Sequence, residues 1–530
     1  MSSKFESALK ATMNDEVSIT ENGACGFKTS GKKLLDINFA VSSLRAKSED
    51  EIEKMYSDAF YENPLLALKW LFMLRDIRGT GMGERRSFRV CFTWLAVQRT
   101  EIAQKLVPLI AEYGRWDDLL CLLGTPVKDI VVETIAKQLK DDIANANESK
   151  PVSLLAKWMP SNNTSSAETR SKAAILQNAL GLSPRQYRKA LSKLRAYLKV
   201  IEVKMSAKQW NEIDYEAVPS KANIKYNAAF LRNDEARRRA YLGALEKGEA
   251  KINSSANFPC DIVHAYTKNG SFGWYASRIT ADAALEAMWK ALPDYTKGMD
   301  KSSTIVVADG SGSMTCGIGN GLMTALDVAN SLAIYFAEKL DGVFKNKYIT
   351  FSERPQYVDF SKAKSLAEKL NIAYKHNECA NTNVEAVFDL LLETARRNNL
   401  KQDDIPANVL IVSDMAFDQG SSWRNCNNSW YGGYDNRYSA KRNALFESIK
   451  QKWQNAGYKL PRLIYWNVAS GAKGAIPLQE NEMGVALVSG YSPAIAQMVF
   501  SSKLDPFEVL VDALNVERYK PVEDAVKGLV

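Results

Sequence analysis

The sequence contains few of the residues on which several common kinds of site depend. Only two histidines, His264 and His376, occur among its 530 residues. A histidine-based catalytic triad or a histidine-rich metal site therefore has little to draw on, and we expect both histidines to be structural. Seven cysteines are scattered along the chain without a CxxC pair. This argues against zinc sites and disulfide frameworks and favours a reducing, cytoplasmic setting.

Long apolar runs are also missing. No uninterrupted apolar segment approaches the ~18–20 residues that span a membrane, and the first residues, Met1–Glu6, lack the apolar core of a secretion signal. A membrane partner is therefore not expected. With 46% hydrophobic and 25% charged residues, the composition is that of a globular protein with room for two or three domains.

The hydrophobic pattern changes near residue 300. Residues 1–300 show helical periodicity with short polar breaks, as in Pro64–Leu74 and Ile102–Tyr113, which favours paired helices stacked in an α-solenoid. Over residues 301–530, strand and helix patterns alternate, which predicts a mostly parallel, doubly wound sheet covered by helices on both faces. The sequence thus predicts a multidomain α plus α/β fold, with a helical domain at 1–300 and an α/β domain at 301–530.

The most informative motif is Asp309-Gly310-Ser311-Gly312-Ser313, which follows the apolar strand pattern of residues 303–308. One carboxylate and two hydroxyls at alternate positions can converge on one point, because the intervening glycines let the backbone curl. Hard oxygen ligands of low total charge suit Mg²⁺, or alternatively Mn²⁺, and leave a coordination position open. A solvated turn is the alternative interpretation of the motif taken alone.

Two further segments accompany this motif. Val409–Asp414 is a second buried-strand pattern that ends in an aspartate, and Thr382 lies at the head of a helical pattern. This order resembles the metal-ion-dependent adhesion site of von Willebrand factor A domains, although the usual glycine before the threonine is Asn381 here. The resemblance implies a set of five ligands for the ion: Asp309, Ser311, Ser313, Thr382 and Asp414.

The net charge of +8 is concentrated in one segment, residues 170–208, in which Glu202 is the sole acid. A helix through it would bury one apolar stripe from Tyr187 to Met205 and expose cations. A surface of one sign costs stability and favours a nucleic-acid partner, with another acidic partner or a solvated face as alternatives. The predicted nucleic-acid-binding residues are Arg170, Lys172, Arg185, Arg188, Lys189, Lys193, Arg195 and Lys199.

Two loops leave alternatives open. Arg75–Arg86 is rich in glycine and arginine but has no Gly-Lys-Ser/Thr and no preceding strand, so it is not a P-loop. It is either a rigid turn whose arginines pair with acids or a phosphate-facing loop. Ser421–Tyr438 is aromatic and polar, and either stacks bases, grips a protein or packs over the sheet edge.

Taken together, these features resemble the Ro autoantigen and its TROVE-module relatives, and more closely a TROVE-related family found in plants, fungi, bacteria and phages. The resemblance covers most of the chain. It implies a ring of HEAT-like helix pairs closed by a von Willebrand factor A domain, with RNA bound on a basic outer face. The matching stretches are Glu21–Ala24, Arg75–Arg85, Ile213–Ser220, Ser413–Asp418 and Gly484–Ser492.

The leading hypothesis is therefore a non-enzymatic, Ro-like protein that binds small structured or misfolded non-coding RNA as a ribonucleoprotein. A metal-dependent protein–protein scaffold or assembly factor, possibly related to phage and without an RNA role, is the alternative. A metal-dependent hydrolase is a third class, which lacks a general base other than the ion's own ligands.

Overall fold

The computed structural model describes residues 17–19, 25–268, 278–299, 301, 303–318, 323–417, 445–469, 485–500 and 505–530. The chain divides into two compact units. The α/β unit comprises Met1–Ser48 and Asn257–Ala513, and the helical unit comprises Glu49–Ala256 and Leu514–Val530. The predicted boundary near residue 300 marks the change from helices to alternating strands and helices. The two units are instead defined by which residues pack together, so that residues before 49 and residues 257–513 belong to the α/β unit. No helix in the described ranges has the length and apolar character that crossing a membrane requires.

The helices before residue 300 are α1 Lys33–Phe39, α2 Glu49–Glu62, α3 Pro64–Arg75, α4 Arg86–Gln98, α5 Thr100–Leu106, α6 Ile110–Tyr113, α7 Lys128–Asn147, α8 Leu155–Trp158, α9 Ala167–Ala179, α10 Pro184–Tyr197, α11 Ile201–Ser206, α12 Ser220–Asn233, α13 Glu235–Lys247, α14 Pro259–Thr267 and α15 Ala283–Lys290. Those after it are α16 Ala325–Lys339, α17 Leu366–Lys375, α18 Glu385–Arg397, α19 Leu445–Asn455, α20 Ala496–Val499, α21 Pro506–Leu514 and α22 Lys520–Ala525.

Short 3₁₀ turns link many of these helices, at Ser43–Arg45, Val107–Leu109, Trp116–Gly124, Trp210–Glu212, Gly312–Thr315, Gly342–Phe344, Gln402–Asp404, Pro493–Ile495 and Glu517–Tyr519. The strands are β1 Val17–Ile19, β2 Cys25–Phe27, β3 Thr304–Asp309, β4 Lys347–Phe351, β5 Gln356–Asp359, β6 Asn408–Ser413, β7 Arg462–Asn467 and β8 Val485–Ser489. The predicted combination of a helical part with an α/β part is confirmed at this level.

Helix α3 shows how the helical unit forms. The Asn63 side chain accepts a hydrogen bond from the Leu66 N–H at 3.0 Å, and Pro64 occupies the first helical position. Both residues favour a helix start. The Asn63 side chain caps an N–H that has no partner within the helix, and Pro64 has no N–H that would need a partner. The helix is apolar on nearly all sides and packs against α2 and α4. Its Trp70 is fully buried and stacks on Tyr56.

The predicted single helix through residues 185–208 is wrong in its continuity. Helix α10 ends at Tyr197, and α11 starts at Ile201. Between them Lys199 adopts a positive φ of 51°, a left-handed conformation that ends a helix. The apolar stripe is divided accordingly. Tyr187 and Leu191 are buried with α10, whereas Met205 packs on a separate cluster around Phe230.

The α/β unit contains a six-stranded sheet in the order β5-β4-β3-β6-β7-β8. All neighbouring pairs are parallel except β4 with β5, which form an antiparallel edge hairpin that the sequence analysis missed. Every residue of β3 is buried, as are five of the six in β6, so both faces of the central strands are covered. The sheet is therefore mixed rather than purely parallel.

Helix α16 covers the central strands and is anchored by a polar cluster at its start. Asp327 accepts hydrogen bonds from the Thr324 N–H (3.1 Å), the Thr267 hydroxyl (3.0 Å) and the Tyr374 hydroxyl (3.1 Å). His264 Nδ1 lies 3.2 Å from the same carboxylate. His376 Nδ1 lies 2.9 Å from Gln356 Oε1. Both histidines thus have the side-chain partners expected of structural residues.

The Arg75–Arg86 loop of the helical unit is built from internal pairs. Asp76 accepts hydrogen bonds from the N–H groups of Arg78 (3.0 Å) and Gly79 (2.9 Å) and pairs with Arg518 at 3.0 Å. A Cβ at Gly81 would lie 2.4 Å from the Met73 carbonyl oxygen, so only glycine fits there. These contacts favour the rigid-turn interpretation for the first half of the loop.

Arg75, at the head of this loop, forms a buried ion pair. Its Nε lies 2.7 Å from Asp118 Oδ2, and both side chains are almost fully buried. Asp118 also accepts hydrogen bonds from Arg89 Nε (2.9 Å) and the Arg115 N–H (2.9 Å). The carboxylate therefore joins three segments of the helical unit.

Asp118→Ala is expected to destabilise the helical unit by about 3–5 kcal/mol, because it leaves the Arg75 guanidinium buried without its counter-charge. Urea unfolding followed by circular dichroism measures the change in the free energy of unfolding. Asp141→Ala, an exposed position on α7, is the control. A loss no larger than that of the control would contradict the assigned role of the ion pair.

Candidate metal centre and cationic helix

The structure places Asp309 at the carboxyl end of β3, with 1% of its surface exposed. Its Oδ1 accepts a hydrogen bond from the Ser311 N–H at 2.9 Å, and its Oδ2 accepts one from the Ser413 hydroxyl at 2.6 Å. The hydroxyl oxygens of Ser311 and Ser313 lie 3.2 Å apart. The carboxylate and the two hydroxyls thus occupy one small region at the strand end.

The loop that precedes Thr382 is fastened to the motif by backbone hydrogen bonds. The Gly312 N–H donates to the Ala380 carbonyl at 2.9 Å, and the Cys379 N–H donates to the Gly310 carbonyl at 2.9 Å. Thr382 follows two residues later and is 1% exposed. The loop before Thr382 thus lies beside residues 310–312, and the role of Thr382 as a ligand stays a prediction.

Asp414 follows β6, which pairs directly with β3. The carboxyl ends of adjacent parallel strands meet at one edge of the sheet, where ligands of such folds bind. Asp414 is 7% exposed, and its Oδ1 accepts a hydrogen bond from the Ala416 N–H at 3.0 Å. Met415 between them has a positive φ of 64°, so the chain turns sharply away from the sheet after the carboxylate.

The glycines of the motif have a different purpose from the one the sequence suggests. Neither Gly310 nor Gly312 has a positive φ. Instead, a Cβ at Gly310 would lie 2.8 Å from Thr350 Oγ1 and from Asn377 Oδ1, and one at Gly312 would lie 3.1 Å from the Cys379 carbonyl oxygen. Close approach of the neighbouring loops, rather than backbone curl, is what requires glycine here.

The electrostatics of this edge suit a cation. Burial and repulsion from Asp414 raise the pKa of Asp309 to about 7, although hydrogen bonds from Ser311 and Ser413 oppose the shift. Asp309 has no ion pair with a lysine or arginine of the described chain. Carboxylate and hydroxyl oxygens around buried negative charge form a donor set that fits Mg²⁺ or Mn²⁺.

Sequence reasoning missed two serines of the centre. Ser413 donates to Asp309, and Ser352 accepts a hydrogen bond from the Ala380 N–H at 2.8 Å through its hydroxyl. Ser352 directly follows β4, the other neighbour of β3. Parallel strands end at a common edge of the sheet, and β4 is parallel to β3. The same rule that brings Asp309 and Asp414 together could therefore have identified Ser352.

Helix α10 exposes part of the predicted cationic set to solvent. Ser183 caps it by accepting a hydrogen bond from the Gln186 N–H, and Pro184 takes its first position. Tyr187, Leu191 and Leu194 form its buried side. Four cations lie exposed on α10 or just after it, and their side chains have neither a hydrogen bond nor an ion pair with the described residues: Arg185, Arg188, Lys189 and Lys199. We call these four residues the cationic face.

The other four predicted cations have partners within the helical unit. Arg170 donates to the Thr164 and Ser165 carbonyls at 2.7 Å each, and Lys172 pairs with Glu168 at 2.6 Å. Lys193 donates to Asn147 Oδ1 at 2.6 Å. All four of these contacts are exposed, and an exposed ion pair such as that of Lys172 contributes little stability.

Arg195 differs from its neighbours because its guanidinium is turned inward. It donates to the carbonyls of Ala156 and Met159 and to the Ser161 hydroxyl, all at 2.8 Å. Burial lowers the pKa of the guanidinium. The sequence predicts an outward cation at this position, whereas the structure gives Arg195 the task of fastening α10 to the preceding loop.

Two of the features singled out in the sequence lie outside the described residues: the Ser421–Tyr438 loop and the Glu21–Ala24 stretch. Gly484 and Asp418 also lie outside them. The alternatives for the aromatic loop therefore remain those of the sequence analysis.

Together these observations define a protein with a helical unit, a mixed-sheet α/β unit and an acidic edge at the centre of the sheet. Residues 20–131 and 125–299, more than half of the chain, match the family described as Domain of unknown function (DUF2828). The chain belongs to that family. Residues 303–521 match the family described as Domain of unknown function (DUF7788).

Two similar proteins give the wider context. The chain is 30% identical to "Uncharacterized protein L728" of Acanthamoeba polyphaga mimivirus, over 96% of this chain and 88% of that protein. The crystal structure of the Deinococcus radiodurans Ro (RSR) protein is similar with a TM-score of 0.42 and 16% identity, covering 88% of this chain and 93% of that one. A structural similarity of this size assigns neither residues nor an activity.

Mg²⁺ is expected to raise the melting temperature, and the gain is expected to grow with pH. In the metal-free protein Asp309 binds its proton more tightly folded than unfolded, so its contribution to stability is lost as pH rises from about 4 to its folded pKa of about 7. Mg²⁺ competes with that proton, and saturation at 100 times Kd would stabilise by about 2.7 kcal/mol. Thermal unfolding with and without Mg²⁺ on both sides of neutrality measures this.

Asp309→Asn should abolish the Mg²⁺ effect, because it removes the ionisable ligand. Asp403→Asn, an exposed position of the same unit, should retain it. Equal gains in both variants would show that the ion binds elsewhere.

Proposed function

We propose that this chain binds RNA, without catalysis, through the cationic face of α10. The observation that carries the proposal is that Arg185, Arg188, Lys189 and Lys199 are exposed and without partners in the described part of the chain. Like charges on one helix repel each other and cost stability. A sugar-phosphate strand offsets that cost, because each neutralised phosphate releases counterions and gains binding free energy.

The packing of α10 supports this role. Its cap and its three buried apolar residues fix the helix, and Arg195 ties it to the loop before it. Cations on a fixed helix lose less freedom on binding than cations on a flexible tail. Contacts of this kind position the phosphate backbone and carry little base specificity, which suits a partner selected by shape.

The class of RNA follows from the resemblance to Ro-type proteins. It favours small structured or misfolded non-coding RNA as the partner and a ribonucleoprotein as the assembled form. The predicted ring of helix pairs belongs to the same proposal.

The metal centre is proposed to act as an adhesion-type site within a von Willebrand factor A domain. Asp309, Ser311, Ser313, Thr382 and Asp414 would hold the divalent ion, with Mg²⁺ favoured over Mn²⁺. When bound, the ion would neutralise the two carboxylates and offer a coordination position to an acidic group. The 3.2 Å separation of the two serine hydroxyls and the burial of both aspartates support this assignment.

The variant R185Q/R188Q/K189Q is expected to weaken binding of a small structured RNA and to lower its salt dependence. Removing three phosphate contacts should reduce the slope of log K against log salt by about 2–3. Filter binding at rising salt concentration measures both effects.

The matched control removes three exposed cations of the α/β unit, K345Q/K362Q/K401Q, and changes the net charge by the same amount. It should leave the slope close to that of the unchanged protein. An equal loss in both variants would point to general charge attraction, and an absence of salt-sensitive binding in the unchanged protein would refute the proposal.

The second candidate function is a metal-dependent protein scaffold, and Ser313 favours it. This residue is only half-buried while the rest of the centre is buried, so one side of the site is accessible to a partner's carboxylate.

If this second function holds, a pull-down is expected to recover a protein partner that EDTA and Asp309→Ala both release. The Asp403→Ala control should retain it. Recovery of RNA in place of a metal-dependent protein would favour the first function.

A further inference from the structure

A cavity of about 400 Å³ lies in the helical unit, between α2 and the first half of α4. Its size is within the range of small-molecule sites. One wall carries guanidinium groups, from Arg85, Arg86 and Arg89, and another carries the carboxylates of Glu49 and Glu53. Neither the rigid turn before α4 nor the cationic face of α10 explains why groups of both charges border this cavity.

The basic wall is held in place from behind. Arg89 donates to Asp118 Oδ1 at 2.9 Å and to Asp117 Oδ2 at 3.0 Å. Asp117 is shared with Arg115, whose Nε and terminal nitrogen lie 2.8 and 2.6 Å from its oxygens. These bonds fix the orientation of the Arg89 guanidinium, which lines the cavity.

Positive charge is in excess behind this wall. Arg75, Arg89 and Arg115 share only the carboxylates of Asp117 and Asp118. Arg85 is exposed and adds a further cation, and its guanidinium has no hydrogen bond or ion pair with the described residues. Burial and repulsion from Arg115 and Arg89 lower the pKa of its guanidinium, against the attraction of Asp117 and Asp118. An anion in the cavity would relieve that repulsion.

The acidic wall is not used to neutralise Arg85. Glu53 makes no ion pair and no hydrogen bond with the described residues, and burial together with repulsion from Asp50 and Glu49 raises its pKa. The cavity is thus bordered by cations from the start of α4 and by carboxylates from α2, and Val90 and Thr93 also line it. A ligand that fits it needs an anionic group at one end and hydrogen-bond donors at the other.

We propose that this cavity binds a nucleoside monophosphate, with its phosphate at Arg85 and Arg89 and the donor edge of its base at Glu53. The start of α4, at Arg86, supplies the positive end of a helix dipole on the phosphate side. Guanine presents two adjacent N–H donors, which an ionised carboxylate accepts together. The source of the nucleotide is either a free molecule or the 5′ end of an RNA chain.

Isothermal titration of the full chain with GMP, and separately with inorganic phosphate, tests the proposal. GMP should bind saturably and more tightly than phosphate. Arg85→Gln should weaken GMP about tenfold or more, since a charge-assisted pair is lost. Arg78→Gln, an exposed arginine of the same loop that does not border the cavity, should leave binding unchanged.

Glu53→Gln separates the two walls, because it should weaken GMP while leaving inorganic phosphate unaffected. GMP binding no tighter than phosphate, or an equal loss in the Arg85 and Arg78 variants, overturns the proposal. A 5′-phosphorylated guanosine-initiated oligonucleotide that competes with GMP identifies an RNA end as the source, and a lack of competition identifies the free nucleotide.

This inference does not depend on RNA binding by α10. The R185Q/R188Q/K189Q variant should bind GMP like the unchanged protein. Loss of RNA binding and loss of GMP binding are therefore separate outcomes.

Discussion

The packing of this chain holds side chains of like charge close together, and their mutual repulsion is the interaction that it has to balance. Asp309 and Asp414 lie at the same sheet edge because β3 and β6 pair in parallel, with Asp309 ending β3 and Asp414 directly following β6. Arg89 and Arg115 meet because one pair of aspartates holds both. In each case the apolar core fixes the backbone on which the charges stand. The charges remain close because separating them would break that core. Such sites are the ones at which a counter-charged ligand gains most.

Much of the α/β unit was predictable from residue order alone. Buried parallel strands are nearly continuous apolar runs, so the patterns at residues 303–308 and Val409–Asp414 located β3 and β6 to within a residue. The rule that parallel strands end at a common edge then brings Asp309 and Asp414 together. The edge strand β5 escaped detection because three of its four residues are at least partly exposed and the strand carries no apolar run. An antiparallel edge is decided by pairing with a neighbour, which a local pattern does not show.

The details that escaped prediction depend on contacts far apart in sequence. Whether Arg195 faces outward or inward depends on carbonyls about 36 residues earlier, and helical periodicity has no information about them. The purpose of Gly310 depends on Thr350 and Asn377, which approach only after the sheet forms. The break at Lys199 is a local backbone event, yet no glycine or asparagine announces it. Tertiary contacts therefore set these features, while the hydrophobic pattern sets the elements.

The sites of opposite sign should respond differently to ionic strength, and the reason is their burial. The cationic face is exposed, so ions at physiological strength screen it over about 8 Å and weaken its attraction for phosphate. Asp309 is almost wholly buried, so dissolved salt screens its charge much less than it screens the exposed cations. Its repulsion from Asp414 therefore persists at high salt, where the exposed face has lost most of its pull. Raising the ionic strength should thus weaken the exposed anion-binding surface much more than the buried cation-binding centre of the same chain.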